Sequence, residues 1–116
     1  MEKGYKKLEV WKKADVLAKA VYAVAASFPK DEIYGVTSQL RRAALSIPVN
    51  IVEGAGRQGR KEFKQFANIA LGSLAESEYL LEFCKDIGYL KDEDFLRLEL
   101  LRAEVGKLLW GLYKSL

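Results

Sequence analysis

The chain has 116 residues, half of them hydrophobic and only two of them proline, which is enough apolar material for one folded domain. Histidine is absent, which excludes Ser-His-Asp and Cys-His nucleophiles, histidine-ligated zinc and the Glu-x-x-His pairs of di-iron bundles. Residues 1–64 hold 13 Lys and Arg against 7 Asp and Glu, whereas residues 65–116 hold 6 against 9. Such asymmetry is typical either of a protein that binds a polyanion or of one whose basic surface meets an acidic surface in self-assembly.

The chain has no segment that approaches the roughly 20 apolar residues needed to cross a bilayer. Charges such as Asp15 and Lys19 interrupt each candidate. The single cysteine, Cys84, cannot form an internal disulfide and lies among apolar residues, as a small buried hydrophobe does in a reducing compartment. We therefore expect a cytoplasmic protein without a membrane segment.

Two helices are predicted in the first half of the chain, since apolar residues recur there at spacings of three and four. The first helix has its stripe at Val10, Ala14, Leu17, Val21, Val24 and Phe28, and is expected to end at Pro29. The second has its stripe at Val36, Leu40, Ala44, Ile47 and Ile51, and is expected to be kinked at Pro48 and to end near Gly54.

Two further helices are predicted in the second half. The third has its stripe at Phe63, Ala67, Ala70, Leu74, Ser77, Leu81 and Cys84, and Gly88 can end it in a left-handed conformation. Asp92 is predicted to cap the fourth, whose stripe is Leu98, Leu101, Val105, Leu108 and Leu112. No segment alternates like a strand. Residues 1–116 therefore predict a single all-α domain, an up-down-up-down four-helix bundle roughly 30 Å long with a proline-kinked second helix.

The fourth helix carries more apolar surface than one bundle needs. A second row around it consists of Leu96, Leu100, Ala103 and Trp110, with Leu109, Tyr113 and Leu116 near the end. The third helix adds small residues that permit close approach of a neighbour, namely Ala67, Ala70, Gly72, Ser73, Ala75 and Ser77. Large exposed apolar patches are uncommon on monomers, so the surplus predicts a homo-oligomer; the alternative is a helix lying deep in its own core.

Residues 54–59, Gly-Ala-Gly-Arg-Gln-Gly, match the letters of the dinucleotide-binding glycine motif. That motif follows a strand, whereas a helix leads into this segment, so we interpret the match as accidental. Gly54 and Gly56 are expected to end the second helix, and Gly59 to help start the third. Backbone amides at that start, together with the cations around them, would make a reasonable phosphate seat.

A polar row runs beside the apolar stripe of the second helix, at Gln39, Arg42, Ser46, Asn50, Glu53 and Arg57. It predicts a hydrogen-bonded seam to another helix or subunit, in which Asn50 or Ser46 satisfies backbone groups freed by Pro48. The alternative is that Arg42 and Asn50 contact a ligand directly.

Seven basic side chains are expected to face outward and to contact phosphates: Arg41, Arg57, Arg60, Lys61, Lys64, Lys12 and Lys13. Each phosphate contact releases counterions, so several copies in an oligomer would strengthen a weak patch. The nearby aromatic residues Trp11, Phe63 and Phe66 have helical spacings that assign the two phenylalanines to the core rather than to base stacking. A merely solvated basic face remains the alternative.

One segment of the second helix, residues 35–54, ends in Ser-Ile-Pro-x-Asn-Ile-x-Glu-Gly. This segment, with Glu62-Phe63, residues 72–76 and Leu8-Glu9-Val10-Trp11, resembles the four-helix bundle proteins encoded by intervening sequences of 23S rRNA genes, a family also called S23 ribosomal proteins. The resemblance implies a homopentameric ring. It also implies similarity to the accessory protein of diversity-generating retroelements, which binds nucleic acid and its reverse transcriptase. Arg42, Asn50 and Glu53 carry over only as signature positions.

The leading hypothesis is a non-enzymatic oligomer that binds RNA or DNA through its basic surface, without cofactor or metal. The runner-up is a scaffold that binds another protein, such as a reverse transcriptase. An enzyme with a metal held only by carboxylates is a third possibility, but Glu76, Glu78, Glu82 and Glu99 are explained more simply as parts of solvated helix faces.

Overall fold

Four α-helices form the fold in a computed structural model that describes residues 4–116. They are α1 (Glu9–Ala25), α2 (Val36–Ala55), α3 (Arg60–Asp86) and α4 (Asp92–Ser115). Short 3-10 helices at Gly4–Lys7 and Lys30–Glu32 precede α1 and α2. The described residues contain no strand, and the predicted all-α fold class is confirmed.

The helices are arranged as a ring in which each one packs against two neighbours. Consecutive helices are in contact, α4 closes the ring against α1, and within the described residues the backbones of the diagonal pairs do not come close to each other. Short connections at residues 56–59 and 87–91 turn the chain back on itself, as in an up-down-up-down bundle. The long axis is 43 Å, more than the 30 Å expected, because α3 alone has 27 residues at about 1.5 Å each.

The core contains most members of the predicted stripes, whereas Val24, Val36, Leu101, Leu108 and Leu112 are only partly buried against it. The fully buried large side chains are Leu17, Val21, Leu40, Ile47, Ile51, Leu81, Cys84, Leu98, Val105 and Leu109. Leu109 was expected among the surplus apolar residues of the last helix, and that assignment is wrong. Burial raises the pKa of the Cys84 thiol to about 11, with a smaller effect from the Glu32 carboxylate.

Two predicted helix ends differ from the structure. α1 ends at Ala25 rather than at Phe28, although Phe28 is buried in the following turn with its ring centroid 5.8 Å from that of Tyr89. Asp92 is the first residue of α4, and Lys91 occupies the cap position without a side-chain hydrogen bond, so the predicted Asp92 cap is wrong. Gly88 has a φ of 85° and ends the α3 turn as predicted.

The contact between α2 and α3 is the most extensive in the bundle. α2 ends at Ala55, one residue after Gly54, with Gly56 at the cap position, close to the predicted end. Gly54 is also buried, and a Cβ there would lie 2.6 Å from Phe63 Cδ1 and 3.0 Å from Phe66 Cβ. Ala67 and Ala70 are also buried in the protomer's own core. These small residues therefore serve packing within the chain, and the expectation that the small residues of the third helix serve a partner is wrong for Ala67 and Ala70.

α2 continues as an α-helix through Pro48, whose ring is buried. No helix among the described residues combines the length and the apolar character needed to span a membrane.

Candidate nucleic-acid interface

The alternating direction of the helices separates charge between the two ends of the bundle. One end, called the basic end, comprises residues 4–13, 53–64 and 107–116 and holds ten Lys and Arg against three Glu. The opposite end, called the acidic end, comprises residues 27–36 and 82–97 and holds four Lys and Arg against seven Asp and Glu. The charge asymmetry along the sequence is thus a charge asymmetry along the molecule.

The corner between α2 and α3 lies at the basic end and carries four of the predicted cations. Gly59, in extended conformation, precedes the first turn of α3. The Arg57 guanidinium lies 4.8 Å from the centre of the Phe66 ring, and its Nη2 is 3.8 Å from Glu53 Oε2. Lys61 is exposed and makes no ion pair with any residue that the structure describes.

Arg60 and Lys64 connect the start of α3 to the end of α4. Arg60 Nη2 donates a hydrogen bond to the backbone carbonyl of Ser115, and Lys64 Nζ lies 4.8 Å from the centre of the Tyr113 ring. A cation is favoured at the carboxyl end of a helix because the last carbonyl groups carry partial negative charge. These two side chains therefore support the packing of α3 on α4 as well as contributing positive charge.

Lys12 and Lys13 lie on α1 at the same end. Lys12 is exposed, whereas Lys13 Nζ forms an ion pair with Glu104 Oε1 at 2.8 Å. That hydrogen bond raises the pKa of Lys13. Lys13 thus contacts α4. Because its charge is already paired with the Glu104 carboxylate, it attracts a phosphate less strongly than Lys12 does.

Arg41 lies apart from the other predicted cations. It precedes the end of α2 by 14 residues, about 21 Å of helix, and so is not at the basic end. Its Nη2 donates to the Tyr22 carbonyl at 3.1 Å, and its guanidinium lies 4.9 Å from the centre of the Tyr22 ring. Its Nε is buried and has no hydrogen-bond partner among residues 4–116. The structure thus places Arg41 at the contact between α1 and α2.

Ser46 and Asn50 are the members of the polar row that form a hydrogen-bonded seam where α2 meets α3. Ser46 Oγ and Ser73 Oγ are 2.8 Å apart across the two helices. Asn50 Nδ2 donates to the Ser46 carbonyl at 2.8 Å and to Ser46 Oγ at 2.9 Å. Proline at position 48 frees the carbonyl of Ala44, not that of Ser46, so the predicted role of Asn50 in compensating Pro48 is wrong.

Part of the row lines an open groove of about 650 Å³ between α2 and α3. Gln39, Arg42 and Ser46 lie along it, and Tyr34 and Glu76 border it. Arg42 is exposed and Glu53 is exposed outside the groove. The row is therefore half seam and half open surface.

Several residues at the basic end were not among the predicted sites. Lys6 and Lys7 are exposed on the first 3-10 helix, which packs against α2 and with α2 lines a depression beside Gly56. Lys107 and Lys114 are exposed on α4. Their spacing of three and four residues around Trp110 is a helical signal in the sequence that could have grouped them.

In the part of the chain that the structure describes, no group of three or more Asp, Glu or Cys side chains is arranged to hold a metal ion.

Comparison with known proteins agrees with the fold and the motif. A family model of the 23S rRNA-intervening sequence protein matches residues 6–111. The chain belongs to this family. The predicted family resemblance is thereby confirmed.

A crystal structure of a protein similar to this 23S rRNA-intervening sequence family member is known. That relative is a protein of unknown function from the S23 ribosomal protein family of Bacteroides thetaiotaomicron VPI-5482, 28% identical in sequence, with a TM-score of 0.81. The similarity covers 90% of this chain and 98% of that chain. None of the curated proteins matches the chain. The family match covers α1, α2, α3 and most of α4, and it includes every cation of the basic end except Lys114.

Proposed function

We propose that this protein is a non-enzymatic, oligomeric RNA-binding protein whose basic end contacts the phosphates of structured RNA, of the kind that 23S rRNA intervening sequences encode. The observation that carries the proposal is the gathering of cations from three separate segments at one end of the bundle. The family name gives the same direction. Cytoplasm is the proposed location, where a free thiol such as Cys84 stays reduced.

The cations have different degrees of freedom to meet a phosphate. Lys61, Lys12 and Arg57 are exposed, and Lys61 and Lys12 form no ion pair among the described residues. We assign the first phosphate contacts to these three residues. Arg60 and Lys64 contribute positive potential beside them while also contacting α4.

Assembly of several copies would multiply this weak patch. An α4 ridge of Leu96, Leu100 and Ala103 is exposed, with Leu100 at 74%. An apolar groove between α1 and α2 exposes Tyr22, Leu45 and Val49. Because ridge and groove are formed by different helices, their contact between copies is heterologous and closes into a ring when the rotation allows. The homopentamer that the resemblance implies is the proposed ring.

Titration of a 23S rRNA intervening-sequence fragment at several salt concentrations tests RNA binding. We expect affinity to fall steeply as salt rises, since each phosphate contact releases counterions. The double variant Arg57→Glu/Lys61→Glu should weaken binding and lower the salt slope. Its matched control is Lys30→Glu/Lys91→Glu, which changes the net charge equally at the acidic end. Binding that ignores salt, or equal losses in both variants, would contradict the proposal.

Charge reversal at Arg60 and Lys64 is a second test, and it needs a fold measurement because both side chains contact α4. We expect Arg60→Glu/Lys64→Glu to weaken RNA binding while circular dichroism and the mass from light scattering stay unchanged. Unchanged RNA affinity would show that these two cations are not part of the site.

Light scattering tests the proposed assembly. The wild-type chain should have the mass of a ring, and Leu100→Glu should reduce that mass to a protomer, because a carboxylate buried in an apolar contact loses its hydration. The reference variant is Tyr34→Glu, at a side chain that is 96% exposed and lies outside both the α4 ridge and the apolar groove between α1 and α2. A wild-type monomer would contradict both the ring and the multivalent binding based on it.

A protein-binding scaffold is the second candidate function. It is favoured by the open polar groove between α2 and α3, where Arg42 and Gln39 offer hydrogen-bond donors away from the basic end. On this proposal the partner is a protein such as a reverse transcriptase. Arg42→Glu should then abolish partner binding and leave RNA affinity unchanged, in a pull-down with the purified partner.

A further inference from the structure

We propose that Trp110 is a stacking platform for an unpaired base, so that the basic end takes a single-stranded loop or end of the RNA rather than duplex alone. This inference rests on the proposed RNA-binding function and names the part of the RNA that this end recognises. The observation behind it is an exposed indole that lies on an aromatic support and among cations.

Trp110 lies at the protein surface and stacks on a neighbouring aromatic ring. Its side chain is 52% exposed, although tryptophan is usually well buried. The indole stacks on the Tyr113 ring, with the centroids 5.5 Å apart and the planes inclined by 17°. Tyr113 itself packs against the core. The indole is therefore stacked on a ring fixed by the fold, and half of its surface is open to solvent, where a planar partner can stack.

Cations surround this aromatic pair. Lys107 precedes Trp110 by three residues and Lys114 follows it by four, so both lie on the same side of α4, and both are exposed. From α3, Lys64 Nζ lies 4.8 Å from the centre of the Tyr113 ring, and Arg60 bonds the Ser115 carbonyl. Proteins that bind single strands combine these two features, a stacking ring for the base and cations for the adjoining phosphates.

Lys107 also separates Trp110 from the apolar ridge of α4. It lies between Ala103 and Trp110 along the same face, four residues after one and three before the other. A contact between copies that extended from Leu100 to Trp110 would cover this ammonium group with apolar surface and remove its hydration, which is costly. The ridge is therefore confined to residues 96–103, and Trp110, which the sequence assigned to the same row, belongs to the basic end.

Tryptophan fluorescence tests the platform directly, because the chain has only two tryptophans. In the Trp11→Phe variant, Trp110 is the sole indole, and titration with a short oligouridylate should quench its emission as the base stacks. Trp110→Ala should weaken oligouridylate binding by about tenfold, whereas Trp110→Phe should keep most of the affinity. Binding of a blunt RNA duplex should be unchanged in both variants.

Tyr79→Ala is the matched control, since Tyr79 is another exposed aromatic residue, paired with Phe83 but distant from the basic end. It should leave oligouridylate affinity unchanged. Salt-dependent RNA binding without quenching, and with equal affinity in Trp110→Ala, would overturn the platform and leave the proposed function standing. Absence of binding to any RNA would refute both. Circular dichroism and light scattering on each variant identify losses caused by misfolding or by dissociation.

Discussion

The seam between α2 and α3 and the outer face of α4 use apolar residues in opposite ways. In the seam the residues are small: Gly54 leaves room for Phe63 and Phe66, Ala67 and Ala70 are fully buried, and the helices share their most extensive contact. On α4 only three of 24 residues are buried, while the long side chain of Leu100 is 74% exposed.

This difference separates what holds the protomer together from what it presents outside. Small residues let the backbones of α2 and α3 approach closely where the two helices meet, although both helices expose apolar side chains such as Leu45 and Ile69 elsewhere. α4 closes the bundle with Leu98, Val105 and Leu109 and leaves the rest of its apolar surface uncovered. A high apolar content therefore marks two separate roles in one short chain.

The largest expected effect separates two leucines of α4, Leu98 and Leu100. Leu98 is fully buried, so Leu98→Ala should lower the free energy of unfolding by about 2–5 kcal/mol. Leu100→Ala should cost much less in dilute protein, with a cost that grows with protein concentration because assembly stabilises the folded chain. Urea denaturation at two protein concentrations measures both, and equal losses would contradict the division.

A methyl group at Gly54 tests the tightness of the seam. Gly54→Ala should destabilise the protein by about 1–3 kcal/mol, because the new Cβ meets the Phe63 ring and the Phe66 Cβ and something must shift. Gly72→Ala is the matched change on α3, where nothing lies within 4 Å of the added atom, and it should stabilise by about 0.5–1 kcal/mol. Thermal unfolding of both variants would reveal a loose seam if the two shifts were alike.

Removal of the hydroxyl at Ser73 tests the polar part of the same seam. Ser73→Ala takes away the partner of Ser46 across the helices and should cost about 0.5–1.5 kcal/mol. Ser115→Ala removes only a local bond to the Leu112 carbonyl on an exposed turn, and its unfolding midpoint should stay close to that of the wild type. Equal unfolding midpoints for the two variants would mean that water replaces Ser73 as the partner of the Ser46 hydroxyl without loss of stability.

The smallest effect is expected where α1 and α4 meet at the surface. Lys13→Gln removes the ion pair with Glu104, but both side chains are well exposed and such pairs add little. The unfolding midpoint should not change measurably, and RNA affinity should change less than in Lys12→Gln, because Lys13 already has a carboxylate partner. A larger loss of RNA affinity for Lys13→Gln would contradict this ranking.

Periodicity alone predicted most of the fold, because a buried stripe repeats every three or four residues whatever the neighbours are. It placed Phe28 inside α1 since a buried residue in a turn gives the same signal as one on a helix. It also assigned Leu109 to the surface, because the width of the buried face depends on how deeply α4 lies between its neighbours.

The candidate site was predictable only in part. Arg57, Arg60, Lys61 and Lys64 are close in sequence and were grouped correctly at one corner, whereas Lys6, Lys7 and Lys114 join them through the topology of the bundle. Arg41 was grouped with them by charge, but the structure pairs it with Tyr22. The sequence pattern assigns Trp110 to the apolar surface, since its stacking on Tyr113 is visible only in three dimensions.

The separation of charge between the ends makes the protomer an electric dipole along its 43 Å axis. Near a polyanion such a dipole experiences a torque, so the molecule turns its positive pole forward before contact is made. Encounters are then oriented as well as frequent, and both effects weaken as the ionic strength rises, because salt screens the charges. The up-down path of the chain thus determines how the protein orients near a polyanion as well as how it folds.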